Sequence, residues 1–130
     1  IWPRMEEDIA PIPRENILPE QNGRNELINP RFESMTAKME PYTITAARAE
    51  QALDKQSLIV MENPVASLSL DSGIRLGAEG QKGTYDQDAQ LLILDEQVIL
   101  RHSQGYVLET DHLTIRMKDQ VANTHTPVQI

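Results

Sequence analysis

The chain has 130 residues, a hydrophobic fraction of 39% and a formal net charge of −8. That length suits a single domain, and the acidic balance argues against nucleic-acid binding, because phosphate backbones are bound by basic surfaces. The chain has no cysteine, which excludes disulfides, thiolate metal sites and cysteine nucleophiles. No stretch of the sequence reaches the roughly 20 apolar residues that a transmembrane helix needs.

The first 25 residues differ in composition from the rest. Half of the prolines lie here, at Pro3, Pro11, Pro13 and Pro19. Carboxylates surround them, and no apolar period is visible. Residues 1–25 are therefore predicted to be an extended tether, and residues 26–130 to form the folded domain. We expect the chain, which opens with Ile1-Trp2-Pro3-Arg4 and without an initiator methionine, to have been cut from a longer one. Trp and Arg are typical of a membrane interface, although an incidental position in a tail explains Trp2 equally well.

From Leu27 onward, apolar residues alternate with polar ones. The alternation is clearest in the segments 44–46, 66–70, 74–78 and 113–117. A period of two places each apolar set on one face of a strand. Turn signals at Asp71-Ser72-Gly73 and Ser103-Gln104-Gly105 separate these runs, and Asn63-Pro64 interrupts another. Since no segment has a capped helix pattern, the sequence predicts an all-β fold with seven or eight strands.

A weak internal repeat supports this prediction. The segments 58–65, 91–98 and 121–128 each follow a polar turn, and they recur after 33 and then 30 residues. Such a period predicts stacked units that share one continuous apolar face. A stacked body leaves strand edges at its two ends, and the chain stops at Pro127-Val128-Gln129-Ile130 in the strand of the third unit, where it is either truncated or leaves an unfinished edge. We therefore expect an open edge, which would invite pairing with another sheet.

Candidate catalytic and metal sites are weak. The three histidines, His102, His112 and His125, lack metal-ligand spacing. Asp86-Gln87-Asp88 lacks the glycine and the distal glutamate of a calcium loop, and no G-x-S-x-G motif is present. Gly77, Gly80 and Gly83 are not followed by a helix that would bind phosphate, so twist or a bulge explains them better. The sequence predicts neither an enzyme nor a metal or cofactor site.

Six short motifs follow one another over residues 28–128. They are Asn29-Pro30-Arg31-Phe32, residues 42–46 with Arg48-Ala49, Asn63-Pro64-Val65, residues 83–86, Leu92-Ile93-Leu94 leading to Val98-Ile99-Leu100, and residues 105–110. Their order and spacing resemble the lipopolysaccharide-export protein LptC family. One departure is visible, because Asp95-Glu96-Gln97 stands where the family often has a glycine in the turn before the strand that matches Val98.

The resemblance implies a folded-over antiparallel sheet with open edges, the β-jellyroll that LptA shares. It also implies a periplasmic domain anchored in the bacterial inner membrane by one N-terminal helix, which would precede Ile1. Members of the family receive lipopolysaccharide from an ATP-driven extractor, an inner-membrane ABC transporter, and pass it to the bridge protein LptA. Neighbouring sheets join edge to edge into an apolar groove, and an isolated module of this kind is expected to be able to form an edge-to-edge homodimer.

Alternation places thirteen residues on the face that would line such a groove. They are Ile44, Ala46, Leu58, Val60, Leu68, Leu76, Leu92, Leu94, Val98, Leu100, Leu108, Leu113 and Ile115. In any β-sandwich the same positions form an ordinary core, and a register shift of one residue near Asn63-Pro64 would turn Leu58 and Val60 outward.

Two other functions compete with the lipid relay. One is a structural or adaptor β-module with a closed core that binds protein partners through its edges. The other is a soluble bridge protein closer to LptA, against which the Trp2-containing tail argues, because a soluble protein needs no long spacer after an apolar segment.

Overall fold

The computed structural model describes residues 18–19 and 25–124, which form one antiparallel sheet of twelve strands. The strands are β1 (Leu18–Pro19), β2 (Asn25–Ile28), β3 (Arg31–Met35), β4 (Pro41–Thr45), β5 (Arg48–Gln51), β6 (Leu58–Glu62), β7 (Val65–Ser69), β8 (Arg75–Glu79), β9 (Lys82–Asp86), β10 (Leu91–His102), β11 (Val107–Arg116) and β12 (Val121–Asn123). The all-β prediction is confirmed. The prediction of seven or eight strands is wrong, because sharp corners divide several runs into two short strands.

The corners lie side by side and form a line along which the sheet folds. They fall at residues 29–30, 46–47, 63–64 and 80–81, and backbone hydrogen bonds join each to the next. The amide N–H of Asn29 donates to the carbonyl of Ala47, and that of Asn63 donates to the carbonyl of Gln81 (3.0 and 2.9 Å). Asn29 and Asn63 adopt positive φ angles of 51° and 54°, a conformation that asparagine tolerates better than most residues.

The fold line divides the sheet into two layers. The first layer contains β1, β2, β5, β6, β9, the first half of β10, the second half of β11, and β12. The second layer contains β3, β4, β7, β8, the second half of β10 and the first half of β11. β10 crosses the line through a bulge at Glu96 and Gln97, whose φ angles are 68° and 54°. Glu96 and Gln97 belong to the turn in which the resemblance described above leads us to expect a glycine. A bulge of this kind bends the strand that contains it.

The two layers enclose one apolar core. Ile44 of the second layer and Leu92 and Leu94 of the first have no measurable exposure. Directly opposed residues share a face of a sheet, and one such inward row runs from Met61 through Gly83 to Leu94. The folded-over antiparallel sheet predicted above is confirmed, and it brings the inner faces of both layers together.

The predicted inward orientation of Leu58 and Val60 is corrected. In β6 the buried residues are Ile59 and Met61, both 2% exposed, whereas Val60 is 46% exposed on the outer face. The extra residue at the Asn63 corner breaks the period of two, so the alternation of β7 cannot be extended back into β6. Across the β10 bulge, Leu94 and Val98 are separated by an even number of positions, so the period of two is kept and Leu92, Leu94 and Val98 are all buried.

Most of the predicted tether, residues 1–17 and 20–24, lies outside the described residues, as do residues 125–130 with His125 and the end of the third repeat. The backbone of Leu18–Pro19 pairs with β2. Within the described part of the chain there is no helix long and apolar enough to cross a membrane.

Candidate functional site

An apolar cavity lies between the two layers, with a volume of about 80 Å³. Its walls are formed by β7, β8 and β10 on one side and by the end of β11, the following turn and β12 on the other. The lining residues are Ala66, Leu68, Leu76, Gly77, Ala78, Leu100, Ile115, Met117, Gln120, Val121 and Ala122. Among these described residues, Gln120 is the one with a polar side chain. A cavity of this composition favours an apolar ligand and offers almost nothing to bind a polar one.

Small residues leave the space for the cavity. Ala66 of β7 lies directly opposite Ala78 of β8, and Ala78 lies opposite Leu100 of β10. Ala66 also lies opposite Ile44 of β4, so this inward row changes from large to small side chains in its middle. Two neighbouring alanines leave a volume between the layers that leucines would fill.

Four of the thirteen predicted groove residues line this cavity, namely Leu68, Leu76, Leu100 and Ile115. Six others are buried in the core: Ile44, Ala46, Leu92, Leu94, Val98 and Leu113. Leu58 and Leu108 are half-buried, and Val60 is exposed. The structure thus brings four predicted residues together around one space. As ligand-binding residues, all thirteen stay predictions.

A buried polar cluster lies at the Gln120 end of the cavity. The side-chain amide of Gln120 donates to Glu40 Oε1 and, at 3.4 Å, to Thr36 Oγ1. Glu40 and Thr36 are each only 4% exposed. The second carboxylate oxygen of Glu40 accepts the backbone N–H of Asp71 at 2.8 Å. A buried carboxylate requires such donors, so Glu40 joins three turns, those after β3, β7 and β11.

The polar cluster was not predicted from the sequence. Glu40 and Gln120 lie in turns that read as ordinary polar connections, and they are 80 residues apart. Neither periodicity nor a local motif relates two such positions.

An aromatic cluster borders the cavity on another side. Tyr42 lies directly opposite the cavity residue Leu68, and its hydroxyl is 2.7 Å from the hydroxyl of Tyr85 on the other layer. Tyr85 also packs against Phe32, with ring centroids 6.1 Å apart. Burial raises the pKa of Tyr85 well above its usual value, so its hydroxyl is neutral and its interaction with Tyr42 is a hydrogen bond. The cluster fixes the separation of the layers beside the cavity.

The sheet has open edges in the part of the chain that the structure describes. β3 pairs there with β4 alone, and β12 pairs with residues 114–116 of β11 alone. Exposed apolar side chains lie on both strands, at Met35 (47%) and Val121 (44%). Unpaired edges of this kind accept strands from other chains.

Comparison with known proteins identifies the family. A family model described as "Lipopolysaccharide-assembly, LptC-related" matches residues 37–130, a range that contains every residue lining the cavity. No curated protein matched the chain. The family is involved in lipopolysaccharide transport, and the folded sheet fits its periplasmic domain. Because the match covers well over half of the sequence, the chain belongs to the LptC family of lipopolysaccharide-assembly proteins.

Proposed function

We propose that this domain relays lipopolysaccharide by holding its acyl chains between the two layers. It would receive the lipid from the ATP-driven extractor of the inner membrane, where an N-terminal helix anchors the protein, and pass it to LptA. The observation that carries the proposal is the cavity itself, which is partly open and is lined almost entirely by apolar side chains. A domain that served only as a scaffold would gain stability by filling this space.

The energetics of acyl-chain burial suit such a site. Each methylene that leaves water gains roughly 0.8 kcal/mol, so a chain of about a dozen carbons offers on the order of 10 kcal/mol before the costs of binding. The cavity of about 80 Å³ is roughly half the size of an engineered cavity of about 150 Å³ that holds benzene. It accommodates the end of an acyl chain, and a longer segment requires the two layers to separate further.

The strand order supports a relay with two different ends. β1 and β3 form the edges on the N-terminal side of the sheet, and β11 and β12 form those on the C-terminal side. A lipid that entered beside one pair and left beside the other would cross the interior between the layers. We propose that the N-terminal edge faces the extractor and that the C-terminal edge faces LptA.

Photo-crosslinking in cells tests the relay. A crosslinking amino acid replaces Leu100, which lines the cavity, in the full-length, membrane-anchored protein. Val60, an exposed residue on the outer face, is the matched position. A lipopolysaccharide adduct is expected at position 100 and not at position 60, and it should disappear when ATP is depleted. If the folded, expressed protein gives only protein adducts at position 100, the relay proposal fails.

A second candidate function is an adaptor that binds proteins through its edges. The observation that favours it is the dense packing around Ile44, Leu92 and Leu94, together with the edge that β3 leaves unpaired among the described strands. An adaptor predicts protein adducts from a crosslinker at Met35 and no lipid adduct at position 100. The same experiment, with Met35 as a third position, separates the two functions.

A further inference from the structure

β12 and the turn before it form the least firmly held wall of the cavity. β12 has three residues, all of them exposed, and it is paired with β11 through three positions. Met117, Gln120, Val121 and Ala122 from this part of the chain all line the cavity. Short elements with few buried contacts open more readily than the rest of a fold. Movement of β12 and Gln120 would therefore expose the cavity, while Met117, which is 2% exposed, stays packed in the core.

Two sets of contacts hold the turn of the β11–β12 hairpin, residues 117–120, against the second layer. The backbone N–H of Ala37 donates to the carbonyl of Lys118 at 2.9 Å, and the amide of Gln120 donates to Glu40 and Thr36. Both sets join the turn after β11 to the turn after β3. A lipid that displaced this turn would have to break these contacts, and one that displaced β12 would also have to break the hydrogen bond between the hydroxyl groups of Thr124 and Thr110 (2.8 Å).

Glu40, which accepts the hydrogen bond from Gln120, is held in place by further hydrogen bonds. Its second carboxylate oxygen accepts the N–H of Asp71, and its own backbone N–H donates to Thr36 Oγ1 at 3.3 Å. Gln120 is also constrained, since its φ angle is 59°. A hydrogen bond to a charged group is stronger than one between neutral groups. The hydrogen bond from Gln120 to Glu40 therefore keeps the hairpin closed. The free energy gained by burying an acyl chain is still large enough to break this bond.

We propose that the contact between Gln120 and Glu40 controls how readily an acyl chain is admitted to the cavity. While it is made, the β11–β12 hairpin covers the cavity. When it breaks, the hairpin moves away and the chain gains access beside β12. Gln120 and Glu40 are positioning residues, because they act through the hairpin and not by contacting the reacting or transported group. The proposal rests on the proposed lipid-binding function and names the residues that regulate it.

The variant Gln120→Asn tests the contact with little risk to the fold. It shortens the side chain by one methylene, so the amide no longer reaches Glu40, and asparagine tolerates a positive φ angle. Gln97→Asn is the matched control, because Gln97 also has a positive φ angle (54°) but is exposed on the β10 bulge. Glu40→Gln is a second test variant, which keeps the size of the side chain and removes its charge and one of its two acceptor oxygens.

The measurement is the association rate of a fluorescent twelve-carbon fatty acid with the purified 130-residue chain, combined with hydrogen exchange of the β12 amides. Gln120→Asn is expected to raise both rates by roughly tenfold or more, the factor that corresponds to one hydrogen bond to a charged group. Gln97→Asn should match the unmodified chain. Glu40→Gln should behave like Gln120→Asn, and if Glu40→Gln fails to fold, the comparison of the two asparagine variants decides.

The outcomes separate this proposal from the relay itself. Equal association rates in all folded variants would overturn control by the Gln120–Glu40 contact and leave lipid binding intact. If no variant takes up the fatty acid, including variants with faster hydrogen exchange in β12, both this proposal and the proposed lipid binding are overturned. Faster exchange in β12 with an unchanged association rate would also overturn the proposal, because the hairpin would then open without admitting the ligand.

Discussion

The hydroxyl groups of Tyr42 and Tyr85 lie 2.7 Å apart, one on each layer of the folded sheet. Tyr42 is 2% exposed and Tyr85 is 3% exposed. The side-chain amide of Gln90 donates to the Tyr42 hydroxyl at 2.7 Å and to the carbonyl of Met35 at 2.9 Å. A chain of hydrogen bonds therefore crosses an otherwise apolar interior, and it joins both layers to the turn before β10.

Removing either hydroxyl should destabilise the domain, and the two losses should differ. Tyr85→Phe leaves the Tyr42 hydroxyl bonded to Gln90 and should cost about 1 kcal/mol. Tyr42→Phe leaves the buried Tyr85 hydroxyl without this partner and should cost about 1–3 kcal/mol. Urea denaturation of the single and double variants measures both values and their coupling. Equal losses in the two single variants would show that the Gln90 contact adds nothing to stability.

Gly83 should be far less tolerant of a side chain than Gly77. A Cβ atom at Gly83 would lie 2.7 Å from the carbonyl oxygen of Ile93 and 3.0 Å from Pro64 Cγ. Because a backbone atom cannot give way cheaply, Gly83→Ala should lower the free energy of unfolding by about 1–3 kcal/mol. At Gly77 the nearest atom is 3.8 Å away, so Gly77→Ala is the control and should leave stability nearly unchanged. Thermal unfolding measures both, and similar losses would contradict the steric explanation.

Alternation predicted the faces of the strands wherever no corner intervened. Ile44 and Leu68 were placed correctly on the inner faces of β4 and β7. The prediction failed for Val60 because Asn63 adds a residue at the corner, and a corner in a strand looks like any other polar break in the sequence. The twist or bulge assigned to Gly83 was also incomplete, since the residue lies in an inward row where Pro64 and Leu94 leave no room for a side chain.

The first residues of the three repeat segments coincide with the starts of three strands. Leu58, Leu91 and Val121 are the first residues of β6, β10 and β12. They lie in one row across the first layer, because Leu58 and Leu91 both oppose Asp86, and Leu91 and Val121 both oppose Arg116. The spacing of the repeat is thus the length of chain that crosses the fold line and returns. The cavity could not be predicted from the repeat or from alternation, because it forms only where Ala66, Ala78 and β12 come together in the folded structure.

Glycine at position 96 should stabilise the β10 bulge. Glu96 has a φ angle of 68° and is exposed, and a residue other than glycine in this conformation costs of order 1 kcal/mol or more. Glu96→Gly removes that strain but adds entropy to the unfolded chain, so the net gain should be about 0.5–1 kcal/mol. The exposed pair of Glu96 with Lys82, at 3.5 Å, contributes little.

Glu96→Ala is the control for the Glu96→Gly variant, since it also removes the carboxylate but keeps the Cβ atom at a positive φ angle. It should show no gain in urea denaturation. If both variants gain equally, the removed charge and not the backbone conformation is the cause.

The contact between Asp86 and Lys55 should make stability depend on pH in the acidic range. Asp86 Oδ2 lies 2.8 Å from Lys55 Nζ, and Oδ1 accepts the backbone N–H groups of Asp88 and Ala89 at 3.0 and 3.2 Å. The hydrogen bond from Lys55 and then that from Ala89 lower the pKa of Asp86 from 3.8 to about 2. A carboxylate with a lowered pKa in the folded state stabilises the fold above its usual pKa. That contribution is lost as the pH falls from 3.8 towards 2.

Asp86→Asn should therefore be less stable than the unmodified chain at neutral pH, and the difference should shrink between about pH 4 and pH 2. Urea denaturation at a series of pH values measures this difference. Asp88→Asn, which removes an exposed carboxylate from the same turn, controls for the general effect of one fewer negative charge and should show no comparable change over that range. A difference between Asp86→Asn and the unmodified chain that stays constant down to pH 2 would mean that the carboxylate contributes through its shape and neutral hydrogen bonds. In that case the ion pair with Lys55 would not stabilise the turn after β9.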